Sequence, residues 1–329
     1  MTFVDTGLPT AWQKHFQPEV LTYELEAFPD ESKLRRKQRE IFNQFVSNYS
    51  ENVPISWIIR GHSGTGKTFL LRAMAKFCNA NGGVALCVAS SGVAALQFPG
   101  GRAAHSVFRI PLSVSKTSVC LLEGDCKVVR LLKKKVVIIW DEIQMQNRFC
   151  IEAVDRAMRR IRKNNRLFGG APIVFGGDFL MTLPEVDQAA SVGLEWDEVG
   201  EPPAHASLEE SYIWDKLDEH LLEKNQRLVA DEKNRRFISW WNDNLLRNVG
   251  SSASLPSDVN ISDNLESFVK KVYSEDVLNG RAEHDAFADH CILSTTEESA
   301  AAINLTALKL QIENQHSFSF RAFDVPEDE

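Results

Sequence analysis

The chain has 329 residues, of which 43% are hydrophobic and 25% charged, a composition typical of globular proteins with about two domains. No apolar stretch approaches the ~18 residues that a membrane span needs, and Met1–Asp5 lack the basic-then-apolar pattern of a signal segment. We therefore predict an intracellular protein without a membrane partner. The net charge of −8 argues against general attraction to nucleic acid but leaves room for a local basic groove.

The cysteines are scattered and lack the paired C-x-x-C spacing of a zinc site. Most of them lie within apolar runs, so reduced and buried thiols are the expected form. The six residues are Cys78, Cys87, Cys120, Cys126, Cys150 and Cys291.

A glycine-rich loop follows the first strand-like run, Ile55–Ile59, and precedes a helical run at Phe69–Lys76. The loop, Gly61–Thr68, fits the pattern G-x-x-x-x-G-K-S/T of a phosphate-binding loop. Its backbone N–H groups would surround phosphate oxygens, its lysine would reach the β- and γ-phosphates, and its threonine would ligate Mg²⁺. An incidental glycine-rich turn is the alternative. The expected nucleotide contacts are Gly61, Ser63, Gly64, Thr65, Gly66, Lys67 and Thr68.

Further short apolar runs follow, at Val84–Ala89, Val136–Trp140 and Pro172–Phe175, separated by helical stretches. Such alternation indicates βαβ units and a buried parallel sheet. We therefore predict an α/β fold with the nucleotide at the carboxyl edge of the sheet.

Two acids, Asp141 and Glu142, end the apolar run before them. In a parallel α/β pattern with a phosphate loop, Asp141 would hold Mg²⁺ through water or Thr68, and Glu142 would polarise the attacking water. Acids at strand ends also serve as helix caps or turn formers, which is the alternative interpretation.

Hydrolysis also needs a group that senses the γ-phosphate and a cation that opposes its developing charge. Gly176–Phe179 ends another strand and is a candidate sensor, although it also fits a simple glycine turn. Arg227 is a candidate cation, although a single arginine is more often a solvated surface residue.

A helix near Phe149–Arg166 combines an apolar stripe with many arginines. The simpler interpretation is that the arginines form a solvated face. The more specific interpretation is that they contact the phosphate backbone of a nucleic acid. The same alternatives apply to Lys133–Lys135. His105 and Ser106, which follow a glycine-containing turn, fit either a polymer contact or a structural role.

The segment Glu185–Glu210 is acidic and has little periodicity, and Gly250–Pro256 is a second probable loop. Beyond it, Cys291–Ser294 resembles the first strand of another α/β unit. We predict an amino-terminal extension (1–32), an ATPase domain (33–210), and connecting helices with an incomplete second domain (211–329).

Taken in order, the motifs resemble the petite-integration-frequency family of superfamily 1 DNA helicases across roughly residues 34 to 324. The segment Arg148–Arg156 and the pattern Cys291–Asp324 most resemble its Helitron-transposon branch. The motifs that carry the resemblance are Gly61–Thr68, Ala89–Ala95, Pro99–Ser106, Asp141–Glu142, Gly176–Phe179 and Gln226–Leu228.

The resemblance implies an ATP- and Mg²⁺-dependent motor with two RecA-like domains that moves 5′ to 3′ along single-stranded DNA. It implies roles in DNA repair, recombination and telomere maintenance, in the nucleus or the mitochondrion. Gln38 matches the adenine-reading glutamine, with a helix-surface residue as the alternative, and Arg227 matches the arginine that approaches the γ-phosphate from the other domain. The implied DNA contacts are Ser90, Ser91 and Gly92 in one motif and His105 and Ser106 in another.

Two features depart from the family. Met181 stands where the third motif has a glutamine that contacts the γ-phosphate, and a thioether cannot donate that hydrogen bond. The chain also stops at Glu329, before the later motifs of the second domain, so we expect weak ATPase activity and no processive unwinding. The alternatives are a remnant that binds nucleotide or DNA without turnover and, less consistent with the DNA motifs, a small-molecule kinase.

Overall fold

The computed structural model describes residues 28–122, 124, 127–180, 184, 203–227, 232–241, 255–256, 259–278 and 290–312. The chain forms two compact units, Met1–Arg235 and Arg236–Glu329. Among the helices that the structure describes, none is both long and apolar enough to span a membrane. Met181 and most of the acidic segment lie outside the described residues, as do positions 1–27 of the predicted extension.

The first unit is built on a six-stranded parallel sheet with the strand order β3-β2-β4-β5-β1-β6. Every residue of β2, β4 and β5 is buried, which explains why these strands are continuous apolar runs rather than alternating patterns. The predicted α/β fold with a parallel sheet is therefore confirmed. The strands are β1 (Ser56–Arg60), β2 (Val84–Ala89), β3 (Arg102–Ala103), β4 (Val136–Asp141), β5 (Ile173–Gly177) and β6 (Asp218–Leu221).

Helices cover both faces of this sheet and give the unit two cores. Successive residues of a strand point to opposite faces, so Ile58 of β1 packs in one core while Trp57 and Ile59 pack in the other. The helices are α1 (Arg36–Ser50), α2 (Lys67–Ala80), α3 (Gly92–Ala95), α4 (Ala104–Phe108), α5 (Lys127–Leu132) and α6 (Arg148–Arg162), followed by α7 (Glu232–Trp241) at the division between the units.

Strand β6 lies beyond the boundary that the sequence predicted at residue 210. It pairs in parallel with β1, with Trp57 opposite Asp218 and Arg60 opposite Leu221. Three of its four residues are exposed, so it carries no apolar signal by which it could be recognised. The first compact unit therefore extends to Arg235.

The described part of the second unit is helical, with α8 (Leu265–Val272), α9 (Glu275–Leu278) and α10 (Glu297–Ile312). The predicted strand at Cys291–Ser294 is wrong, because these residues have no regular structure and Leu293 is 90% exposed. A strand needs a neighbour for its backbone hydrogen bonds, and the described residues of this unit offer none.

Buried thiols were predicted for most cysteines. Cys78, Cys87, Cys120 and Cys150 are buried and free, as predicted, whereas Cys291 is exposed. Burial raises the pKa of Cys87 and Cys120 to about 12 and that of Cys150 to about 11. Cys126 lies outside the described residues.

The arginines of α6 bind backbone carbonyl groups. Arg156 donates to the carbonyl of Ser118 at 2.6 Å, Arg160 to that of Leu122 at 3.2 Å and Arg162 to that of Leu132 at 2.8 Å. Arg156 and Arg162 are half-buried and Arg160 is exposed, so these contacts account for only part of the predicted solvated face, and contact with DNA stays a prediction. The three contacts fix α6 to the chain between α4 and β4, including the end of α5.

Asp155 on α6 is fully buried and accepts three kinds of hydrogen bond. Its donors are Arg159 Nε at 2.9 and 3.0 Å, the Phe168 backbone N–H at 2.6 Å and the Tyr212 hydroxyl at 2.7 Å. Removing this carboxylate would leave the Arg159 guanidinium and the Phe168 backbone N–H without this partner.

We expect Asp155→Ala to lower the free energy of unfolding by about 3 kcal/mol or more, measured by urea denaturation. Glu40→Ala is the control, because Glu40 forms an exposed ion pair with Arg36 and such pairs contribute about 0.5 kcal/mol or less. Equal stability losses for the two variants would contradict a structural role for Asp155.

Candidate nucleotide-binding site

The loop Gly61–Gly66 connects β1 to α2, which begins at Lys67. Gly64 and Gly66 adopt left-handed backbone conformations, with φ of 83° and 86°. At Gly66 a Cβ would also collide with the side-chain amide of Gln38. Glycine is therefore required at both positions, and the loop presents its backbone at the amino end of a helix, where anions are favoured.

Lys67 is buried, and its ammonium group lies inside the loop. Nζ donates to the carbonyl of Gly61 at 2.5 Å and to that of His62 at 3.3 Å. Burial lowers the pKa of Lys67, and the nearby carboxylates of Asp178, Glu142 and Asp141 oppose this shift. The loop thus places one cation among three acids.

Thr68 and Asp141 meet at the carboxyl end of β4. The Thr68 hydroxyl donates to Asp141 Oδ2 at 2.7 Å, and only 1% of Asp141 is exposed. Burial raises the pKa of Asp141 to about 6, although the bond from Thr68 favours the ionised form. A cation beside this carboxylate would offset the cost of its burial.

These residues fit a magnesium site. Mg²⁺ prefers oxygen ligands and commonly takes one or two from the protein, with phosphate and water supplying the rest. Thr68 and Asp141 provide such a pair, and no group of three or more His, Cys, Asp or Glu side chains suited to a metal occurs among the described residues. A polyphosphate entering beside three acids also needs a compensating cation.

Glu142 follows Asp141 in a left-handed conformation with φ of 52°, which is uncommon for a residue other than glycine. Its backbone carbonyl accepts a hydrogen bond of 2.6 Å from the Ser90 hydroxyl. Its carboxylate accepts one of 2.6 Å from Gln144 Nε2. Both ends of the residue are therefore held in place, which allows the unusual backbone geometry to persist.

The two glycines at the end of β5 allow close packing. A Cβ at Gly176 would lie 2.7 Å from Asp141 Oδ1, and one at Gly177 would lie 2.9 Å from Ile143 Cγ2. Asp178 follows them, is buried, and accepts a hydrogen bond of 3.1 Å from the backbone N–H of Ser63. This segment therefore connects β5 to the phosphate loop.

Gln38 is 4% exposed and lies against the phosphate loop, so its interpretation as a helix-surface residue is wrong. Its amide nitrogen donates to the carbonyl of Thr65 at 3.1 Å, and its amide oxygen accepts from the Arg35 backbone N–H at 2.9 Å. A cleft of about 740 Å³ adjoins Gln38 between the start of α1 and residues 222–226. Adenine recognition by Gln38 stays a prediction.

Arg227 belongs to the first compact unit, whereas the sequence placed it beyond the ATPase domain, and its approach to the γ-phosphate stays a prediction. The chain after β6 binds the phosphate loop. Asn225 Nδ2 donates to the carbonyl of Ser63 at 3.1 Å, and the Gln226 backbone N–H donates to that of Gly64 at 2.6 Å. A cleft of about 410 Å³ is lined by Ser63, Gly64, Gly66, Lys67, Thr68, Glu142, Gln144, Asp178 and Arg227.

The sequence profile of one family, described as PIF1-like helicase, matches residues 33–252. The chain belongs to this family. The PIF1 ATP-dependent DNA helicase of Candida albicans is 31% identical over 170 residues, which are 50% of this chain and 18% of that protein. The human PIF1 helicase is 32% identical over 127 residues, covering 38% of this chain and 19% of the human protein. The chain thus spans less than a fifth of these relatives.

A solved PIF1 helicase shares the fold. The crystal structure of the Bacteroides Pif1 helicase in complex with ADP-AlF3 and single-stranded DNA matches with a TM-score of 0.56 and 21% sequence identity. The match covers 90% of this chain and 62% of that one. The parallel sheet of this PIF1-like chain is therefore RecA-like, as predicted.

The segments of this PIF1-like chain that were predicted to contact DNA lie at neighbouring strand ends. Ser90–Gly92 follow β2, and His105–Ser106 follow β3, which pairs with β2 through Ala89 and Ala103. Gly92 and Ser106 are exposed. The structure thus brings the two segments to one edge of the sheet.

Three of these side chains also have internal contacts. Ser90 donates to Glu142, and Ser91 accepts a hydrogen bond of 3.1 Å from Ala94 N as the amino-terminal cap of α3. His105 Nε2 lies 3.8 Å from Cys150 Sγ. The contact of these residues with DNA stays a prediction.

Sequence reasoning missed Gln144 and Asn225, and it identified Gln226 only as part of the family motif Gln226–Leu228. Gln144 is a polar residue between two apolar ones, Ile143 and Met145, and it lies two positions after Glu142. This position beside the acidic motif could have identified it. Gln226 contacts the loop through its backbone N–H, so its side chain did not indicate this contact.

Proposed function

We propose that the chain hydrolyses Mg·ATP and uses this reaction to move along single-stranded DNA as an ATP-dependent DNA helicase. The Thr68–Asp141 hydrogen bond of 2.7 Å carries the proposal, because it joins the phosphate loop to the acidic end of β4. Lys67 and Glu142 line the same cleft. The names of the relatives support the activity, and the Bacteroides structure supports both ligands.

Each residue has a role that follows from its position. The loop N–H groups and Lys67 bind the phosphates, while Thr68 and Asp141 hold Mg²⁺, which neutralises phosphate charge when bound. Glu142 orients and deprotonates the attacking water. Arg227, on the segment that binds the loop, stabilises the charge that develops on the γ-phosphate.

The finer assignments come from the family resemblance alone. They are 5′-to-3′ movement, a Helitron-type origin, and action in the nucleus or the mitochondrion. Strand displacement on substrates with either a 5′ or a 3′ single-stranded tail tests the direction of movement.

A second candidate function is nucleotide and DNA binding without turnover, and Met181 favours it. ATP hydrolysis measured with and without single-stranded DNA distinguishes the two functions. Stimulation by DNA that is lost in Lys67→Ala supports the motor. Tight nucleotide binding without hydrolysis supports the binding protein, and Met181→Gln then tests whether the missing amide is the cause.

We expect single-stranded DNA to bind at the edge formed by Ser90–Gly92 and His105–Ser106. Affinity should fall by about 0.7 log units per log unit of salt for each phosphate neutralised, measured by fluorescence anisotropy. Replacing His105 and Ser106 together by alanine should weaken binding, whereas Lys67→Ala should not affect it without nucleotide. Affinity that is independent of salt, or unchanged in the double variant, contradicts this surface.

A further inference from the structure

Gln144 is a buried amide that neither the phosphate-loop motif nor the acidic motif includes. It lies in a short 3-10 turn, Ile143–Met145, directly after β4 and Glu142, and is 4% exposed. Burying an amide is costly unless its polar atoms are hydrogen-bonded. Both ends of this amide have partners, and both partners belong to the nucleotide cleft.

The two hydrogen bonds of Gln144 connect two strand ends. Nε2 donates to Glu142 Oε2 at 2.6 Å, and Oε1 accepts from the Asp178 backbone N–H at 3.2 Å. Asp178 in turn contacts the phosphate loop, accepting from Ser63 N at 3.1 Å and lying 3.5 Å from His62 Nδ1. A continuous path therefore runs from the phosphate loop through Asp178 and Gln144 to the Glu142 carboxylate.

This path fixes the group that acts on water. A carboxylate at the end of a flexible side chain has several rotamers, and a bond from a buried amide selects one of them. If the carboxylate already has its reactive orientation before the substrate arrives, the activation barrier is lower, because the side chain does not have to be ordered at each turnover. Gln144 lines the same cleft as Lys67 and Thr68, so the selected orientation faces the phosphate site.

We infer that Gln144 is a positioning residue for ATP hydrolysis: it orients the Glu142 carboxylate and ties it to the phosphate loop through Asp178. The inference rests on the proposed hydrolysis of ATP. It predicts that Gln144 stabilises the transition state of hydrolysis and contributes little to the affinity for ADP.

Gln144→Met tests this role, with Gln146→Met as the matched control. Gln146 is equally buried at 4%, but its side chain contacts Cys150 and lies outside the nucleotide cleft. We expect Gln144→Met to lower kcat roughly tenfold to 100-fold, as small misplacements of reacting groups do, with the affinity for Mg·ADP within about twofold of the parent. Gln146→Met should keep the kcat of the parent.

A second variant separates the two bonds of the amide. Gln144→Glu keeps an acceptor for the Asp178 N–H but places a carboxylate against Glu142, so we expect a loss of kcat at least as large. A third measurement does not depend on turnover: binding of ADP, Mg²⁺ and aluminium fluoride should weaken by the same factor as kcat in Gln144→Met.

The outcomes distinguish this role from the proposed function. If the parent hydrolyses ATP and Gln144→Met does so within about twofold, or if Gln146→Met loses as much, the role of Gln144 is wrong and the proposed function stands. If the parent binds nucleotide without hydrolysis, the aluminium fluoride complex decides: equal affinity in parent and variant overturns the role. A parent that binds no Mg·ATP overturns both.

Discussion

Glu142→Gln should bind Mg·ATP as tightly as the parent while hydrolysing it roughly 10²- to 10⁴-fold more slowly, which is the usual contribution of a general base. The substitution keeps the size of the side chain and removes its basic oxygen. The Ser90 hydroxyl still holds the backbone carbonyl at position 142, so the conformation with positive φ should persist. Binding and turnover are thereby separated at one residue.

Titration calorimetry with a non-hydrolysable ATP analogue and a phosphate-release assay measure these two quantities. Glu51→Gln is a suitable control, because it makes the same chemical change at an exposed residue outside this cleft. If Glu142→Gln hydrolyses ATP at the rate of the parent, Glu142 is not the base, and the acidic end of β4 serves only to bind the metal.

Lys67→Ala should weaken nucleotide binding by roughly tenfold to 100-fold, because a hydrogen bond to a charged group contributes about 1.5 to 3 kcal/mol. The ammonium group is buried inside the loop, and alanine leaves its carbonyl partners, Gly61 and His62, without that donor. Hydrolysis should be lost together with binding.

Lys76→Ala is the matched control, since Lys76 lies on the same helix, α2, outside the cleft. A fluorescent nucleotide or calorimetry reports both affinities. Equal affinity of the two variants would show that nucleotide binds elsewhere and that Gly61–Thr68 is an incidental turn.

The parts of the fold that the sequence predicts well are those with a local cause. Strands β2 and β4 are buried on both faces, and such strands are apolar throughout. The phosphate loop needs glycine at positive φ and a lysine at a fixed spacing, so its sequence pattern predicts its backbone conformation directly. Asp141 and Glu142 were identified because two acids end an apolar run in a parallel α/β pattern that also contains a phosphate loop.

The parts that sequence reasoning missed depend on contacts between distant segments. Strand β6 is polar and is defined only by its pairing with β1. The two strands are far apart in the sequence, with 159 positions between Arg60 and its partner Glu219. The arginines of α6 have the composition of a solvated or DNA-binding face, yet Arg156, Arg160 and Arg162 also donate to backbone carbonyl groups, which no sequence pattern marks. The role of Gln144 is equally hidden in the sequence, because it depends on two hydrogen bonds to the ends of different strands.

The pairing of β6 with β1 determines how short an active fragment of the chain can be. Strand β1, which carries the phosphate loop, lies between β5 and β6, so a polypeptide that ends at residue 210 would expose β1 as an edge strand. It would also lack Asn225 and Gln226, whose hydrogen bonds support the loop from outside. Recombinant fragments intended for nucleotide-binding or crystallisation work should therefore extend at least through Arg227.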